Sequence, residues 1–260
     1  MTPARRGFAI VALMLAGVLC APCWPAHAAG PECGPGRFTV ALDVGHTLSQ
    51  PGATSARGVP EFEYNRRLAQ ALFAGLGRAG VAAVLIGAEG TPMQLQERTR
   101  LAQAARADLL LSLHHDSVQP HYLTAWTIDG QAQRYSDVFR GYSVFVSAQN
   151  ARARDSQGFA SLLGGSLRDA GFVPSLHHAE AIPGEGRPLL DARIGLYRFD
   201  QLAVLRTAAM PAVLLEAAII VNREEEAQLR TAGVLDRLVA AVVRSVQRYC
   251  AVQGSQHEHP

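Results

Sequence analysis

A chain of 260 residues that is 48% hydrophobic can bury one full core and is too short for three domains. Its 24 Lys and Arg against 22 Asp and Glu leave a formal charge of +2, which excludes the basic field that drives nucleic-acid binding. Function must therefore be read from local sites.

Residues 1–28 have the layout of a secretory signal: Arg5 and Arg6, an apolar run from Phe8 to Leu19, and Ala26-His27-Ala28 as a small-x-small cleavage site. The apolar run is about 12 to 15 residues long where a membrane span needs roughly 20, so export without a stable membrane span is expected, to the periplasm or to the extracellular space. Val18-Leu19 are not the small residues that a lipidation site wants just before its cysteine, here Cys20. Residues 29–36 then form a lead-in, 37–251 the folded domain, and 252–260 a flexible tail, where His257 and His259 are expected to be solvated. Losing Cys20 and Cys23 with the leader leaves Cys33 and Cys250 as a candidate disulfide in an oxidising compartment. Such a bridge contributes on the order of 3 to 5 kcal/mol on the chain-entropy model; two free thiols or a link to a partner are the alternatives.

Phe38 to Leu42 is a short apolar run ending at Asp43-Val44-Gly45-His46, followed by a Gly, Ser, Pro and Thr-rich stretch to Pro60: a strand, then a loop. From Glu61 to Ala79 the positions Leu68, Leu72, Leu76 and Ala79 recur at helical spacing. Val81 to Ile86 reads as a strand, and Thr91-Pro92 offers a cap and first-turn proline for a helix through Ala105. Further apolar runs occur at Leu109 to Leu113, Tyr142 to Val146 and Ala212 to Leu215, with helices expected over 155–170, 224–230 and 234–249. Alternating apolar strands and helices imply a single α/β domain, a mostly parallel central sheet with helices on both faces. The segments 120–140 and 174–196 show no clear period and read as long loops, which in compact domains are usually functional.

In open α/β sheets ligands bind beyond the carboxyl ends of the strands. His46, His114 and Glu216 each follow a separate apolar run, and Glu61 opens the first long helix. Two neutral imidazoles and one carboxylate make a common catalytic zinc shell: they cancel one of the ion's two charges and leave a place for water, whose pKa falls to about 7. A carboxylate outside the shell is then needed to move the proton, for which Glu216 is the candidate. Spacing alone is weak support, because no ligand pair sits at the interval of a zinc finger or an H-E-x-x-H helix, and a histidine after a strand is more often structural.

Four segments together carry a family resemblance: Val40 to His46 with Pro51-Gly52-Ala53; Glu61-Phe62-Glu63-Tyr64-Asn65 with Leu68 and Ala69; Ala107 to His114; and Pro211 to Glu216 followed by Val221-Asn222 and Glu225-Glu226. Their order and intervals resemble the zinc-dependent N-acetylmuramoyl-L-alanine amidases of the Amidase_3 family from about Phe38 to Ala251. The resemblance implies that 37–251 is a zinc amidase domain binding one zinc ion through His46, Glu61 and His114, with Glu216 catalytic. It implies cleavage of the amide between N-acetylmuramic acid and L-alanine in peptidoglycan, in wall remodelling or daughter-cell separation. Another zinc amide hydrolase of that polymer, a peptidase or deacetylase, is the nearest alternative; a non-catalytic wall-binding or activator protein on the same fold is another. Val44 stands where the family has proline, and Thr47-Leu48 where it has glycines. His115-Asp116 replaces a small residue and Asn, leaving open a contact of either with metal or substrate.

Among the bland alternatives, Glu63 could replace Glu61 but points to another side two residues along a helix start. Asp43 either orients His46 through a hydrogen bond or caps the strand. His121, His177 and His178 read as solvated loop groups, and 223–226 as the exposed face of a helix start. No separate glycan-targeting module is apparent, so recruitment is expected to rely on a protein activator or on the domain's own groove. Family members can carry an occluding element between the second histidine ligand and the catalytic glutamate, so 174–196, with Glu180 and Glu185, is a candidate flap.

Overall fold

The computed structural model describes residues 33–34 and 37–257; the expected leader at 1–28 and the last three residues lie outside them. In chain order the first half comprises β1 (Thr39–Val44), α1 (Glu61–Arg78), β2 (Ala82–Ile86), α2 (Leu95–Ala104), β3 (Leu109–Asp116), β4 (Thr124–Ile128), β5 (Gln131–Tyr135) and β6 (Ser143–Val146). The second half comprises α3 (Ala153–Asp169), β7 (Leu189–Asp191), β8 (Leu196–Arg198), α4 (Ala203–Thr207), β9 (Ala212–Ile219), α5 (Arg223–Leu229) and α6 (Ala232–His257).

Seven strands form one sheet in the order β2-β1-β3-β9-β6-β8-β7. The first four run parallel, β6 runs antiparallel to β9, β8 parallel to β6, and β7 antiparallel at the edge. Strand alternation sends successive side chains to opposite faces. Val40, Leu42, Leu109, Leu111, Leu113, Val213 and Leu215 meet the long helices α1, α3 and α6. Ala41, Leu110, Phe145, Ala212 and Leu214 meet the short helices α2 and α4. This is the mostly parallel sheet with helices on both faces that the apolar runs imply. The second layer is thin, α4 having five residues, and part of the sheet face beneath it stays open.

Several expectations change. The expected loop 120–140 contains the β4-β5 hairpin, closed by Asp129-Gly130 with φ +51° and +74°, the left-handed pair that a two-residue hairpin turn requires. Thr91-Pro92 does not start α2, which begins at Leu95 with Gln94 before it and no side-chain cap. α6 continues to His257, past the expected boundary at 251, because a helix seated through Tyr249 and Cys250 can propagate at little cost. Cys33 and Cys250 are joined by a disulfide, 217 positions apart. Among the described residues no helix is long and apolar enough to cross a membrane.

Candidate active site

Parity places the site. His114 shares a face with Leu110 and Ser112, and Glu216 with Ala212 and Leu214, so both project toward the thin helical layer. They are direct cross-strand partners on β3 and β9, and the register slips just beyond them, between His114 and Asp116. Such bulges re-aim side chains beside functional sites. His46, at the loop following β1, adopts φ +69°, a conformation costly for a non-glycine residue.

Glu61, the first residue of α1, lies between the two imidazoles: Oε2 is 2.9 Å from His46 Nε2, and Oε1 is 3.0 Å from His114 Nδ1. The donor atoms of all three residues lie within 4.8 Å of one another. The set fits a zinc ion in chemistry and in spread, two imidazoles and a carboxylate with a corner left for water. Close approach needs glycine here. A Cβ on Gly45 would sit 2.4 Å from the His114 ring, and one on Gly52, at φ +79°, 2.3 Å from Glu61 Oε2.

Glu61 also accepts hydrogen bonds from the backbone of Ala53 and His115 and from Asn65 Nδ2. Burial pushes its pKa up, but the bonds and charges of His114 and His46 win and hold it well below the usual carboxylate range. Glu63 pairs with Arg66 instead. His115 lies buried with Nδ1 2.8 Å from Asn65 Oδ1; burial lowers its pKa to about 4, so it is a neutral brace for Asn65 rather than a member of the cluster.

Asp43 does not bond His46. It accepts from Arg98 Nη1 at 2.6 Å and from Ser112 Oγ at 2.7 Å. The guanidinium, 3% exposed, donates onward to the carbonyls of Val44 and His46. Asp43 therefore steadies the His46 turn through Arg98, a residue that apolar periodicity cannot single out.

Glu216 has a buried Oε2 with no hydrogen-bond partner. Burial first, then the charges of Asp116 and Glu61, push its pKa well above the usual value. It lines a cavity of about 500 Å³ together with His46, His114, Asp116, His178 and Glu185. His177 and His178, expected to be solvated, are buried, because the segment carrying them folds against Asp116. Within 174–196 are two 3-10 turns (His177–Ala179 and Ala192–Ile194) and β7; Glu180 accepts from Tyr122 and Glu185 from Gln119. The expected exposed run 223–226 is also corrected: Glu226 accepts from Ser55, Tyr64 and Arg57, and Glu225 from the backbone of Gly141 and Ile219.

Residues 40–248 match the Amidase_3 family, described as N-acetylmuramoyl-L-alanine amidase. The N-acetylmuramoyl-L-alanine amidase AmiC of Escherichia coli is 26% identical over 257 residues, covering 87% of this chain and 57% of that protein. LytC of Bacillus subtilis, of the same description, is 26% identical over 207 residues, covering 78% of this chain and 34% of that protein. The chain thus spans about half or less of these relatives. Among solved structures, the amidase Ami1 of Mycobacterium smegmatis superposes with a TM-score of 0.64 at 21% identity, covering 87% of this chain and 99% of that one. The CwlD amidase of Clostridioides difficile, solved in complex with the GerS lipoprotein, does so at 0.62 and 16% identity, covering 83% and 99%. At these identities the solved structures establish a shared fold.

Proposed function

This chain belongs to the Amidase_3 family, and from that premise we propose that it is a zinc-dependent N-acetylmuramoyl-L-alanine amidase acting on peptidoglycan. The bond cut joins the lactyl group of N-acetylmuramic acid to the L-alanine of the stem peptide, in wall remodelling or daughter-cell separation. The observation that carries this reading is the convergence of His46, Glu61 and His114 beside Glu216, whose buried Oε2 has no hydrogen-bond partner.

His46, Glu61 and His114 would hold the ion, their donor atoms lying within 4.8 Å of one another. Zinc supplies Lewis acidity and a water of lowered pKa. Glu216 takes a proton from the attacking water at Oε2 and returns it to the leaving amine, general acid/base work worth roughly 100 to 10,000-fold. Its burial and the neighbouring charges of Asp116 and Glu61 favour the protonated state that the second half of that task requires. Arg98 holds the His46 carbonyl and Asn65 holds Glu61, so each fixes one end of the ligand set.

Export to the periplasm or beyond fits this substrate, with the leader expected at 1–28. A protein partner that recruits or activates the domain is part of the proposal, as CwlD is held in a complex with GerS. The test is digestion of sacculi by wild type beside Glu216→Gln, with zinc measured in both. The expected result is free stem peptides and intact glycan strands from wild type, and a loss of turnover of roughly 100-fold or more in the variant with its zinc retained. Release of acetate or of stem-peptide fragments by the wild type would instead indicate a deacetylase or a peptidase.

A further inference from the structure

We propose that Asp116, His177 and His178 form a second divalent-cation site, for an imidazole-binding metal of the zinc class, that ties the 175–187 segment to the end of β3. Asp116 is the last residue of β3; the two histidines open the 3-10 turn His177–Ala179. One donor atom from each of the three lies within 4.8 Å of the others. Asp116 Oδ2 is 2.8 Å from His178 Nε2 and 3.3 Å from His177 Nε2.

The ring nitrogens that face away from Asp116 are committed elsewhere. His177 Nδ1 lies 2.9 Å from Ser175 Oγ, and His178 Nδ1 lies 2.8 Å from Glu185 Oε2. Glu185 is itself held by Gln119 Nε2 at 2.7 Å. Partners of this kind set the tautomer of a metal-binding histidine: a proton donated outward from Nδ1 leaves the Nε2 lone pair facing the ion. Here both lone pairs would face the same carboxylate.

An independent observation concerns His177, which is 2% exposed. Its Nε2 is buried without a hydrogen-bond partner, although Asp116 Oδ2 stands 3.3 Å away. A buried ring nitrogen left unbonded is costly, and coordination to an ion shared with Asp116 removes that cost. Two imidazoles with one carboxylate again suit zinc better than calcium or magnesium, which prefer oxygen shells. Glu185 and Glu216 line the same cavity, as do Arg187 and Arg98, the latter paired with Asp43. Without an ion, burial lowers the pKa of His178, but the bonds to Asp116 and Glu185 outweigh burial and lift it to about 9. Metal binding would displace that proton.

The test counts ions in the full chain after chelation, reloading with zinc and removal of the excess. Wild type should hold two per chain, and His177→Asn, which keeps a polar group toward Ser175 and removes Nε2, should hold one. Asp116→Asn should also hold one, and Glu61→Gln should keep one at the second site. A single ion in wild type that Glu61→Gln loses would overturn the second site and leave the first intact. A single ion lost instead in His177→Asn would support the second site and remove the first. Two ions retained in both His177→Asn and Asp116→Asn would overturn the proposal. Cobalt(II) titration guards against misfolded variants: the ligand-field band of wild type should saturate at two equivalents, and saturation at one equivalent that Glu61→Gln abolishes overturns the second site.

Discussion

Arg98 reaches from α2 into the sheet to hold Asp43, which is 1% exposed, and the carbonyls of Val44 and His46. Breaking a buried pair by removing one partner costs about 3 to 5 kcal/mol. Arg98→Met should therefore lower unfolding free energy by about that amount in denaturant titrations, and zinc affinity should fall as the His46 turn loosens. His178 makes a pH prediction. Its pKa is raised from 6.5 to about 9, so in chelated protein its stabilisation is complete below pH 6.5 and is lost as pH rises through about 9. Unfolding free energy measured in chelator should decline across that window by up to about 3 kcal/mol. A His178→Asn variant should lack the decline, and an equal decline there would assign the effect to another group.

The turn after β1 and the loop that enters α1 both need residues without a side chain. Gly45→Ala would drive a methyl group into the His114 ring, and displacing a zinc ligand's supports typically costs 10- to 100-fold in affinity. Zinc competition assays should show a loss in that range with the fold retained by circular dichroism. How far such elements are legible depends on what each contributes to the core. β1, β3 and β9 announce themselves as unbroken apolar runs because both of their faces are covered, and His46, His114 and Glu216 could be placed at their ends for that reason. The β4-β5 hairpin has no apolar run because both strands are largely exposed; its signal was Asp129-Gly130. Arg98, His177, Glu225 and Glu226 defeat composition rules for the opposite reason: they are polar groups turned inward, each satisfied or faced by a residue far away in sequence. Only the pairing of distant segments reveals such partners.

The whole domain is one layered body whose first described residue is tied to its last helix. Closing a loop of this length raises stability by limiting the unfolded chain, and removing a native disulfide typically costs about 2 to 5 kcal/mol. Cys250→Ser should lose stability in that range, and reductant should destabilise wild type but leave the variant unchanged. Thermal unfolding with and without reductant measures both.

The Cys33–Cys250 bond also determines how the domain bears load. Tension applied between its two termini runs through the sulfur bridge, so the sheet between the anchor points stays slack. Pulled from its ends in a force spectrometer, the oxidised domain should lengthen little until a covalent link gives way, while the reduced one unravels strand by strand.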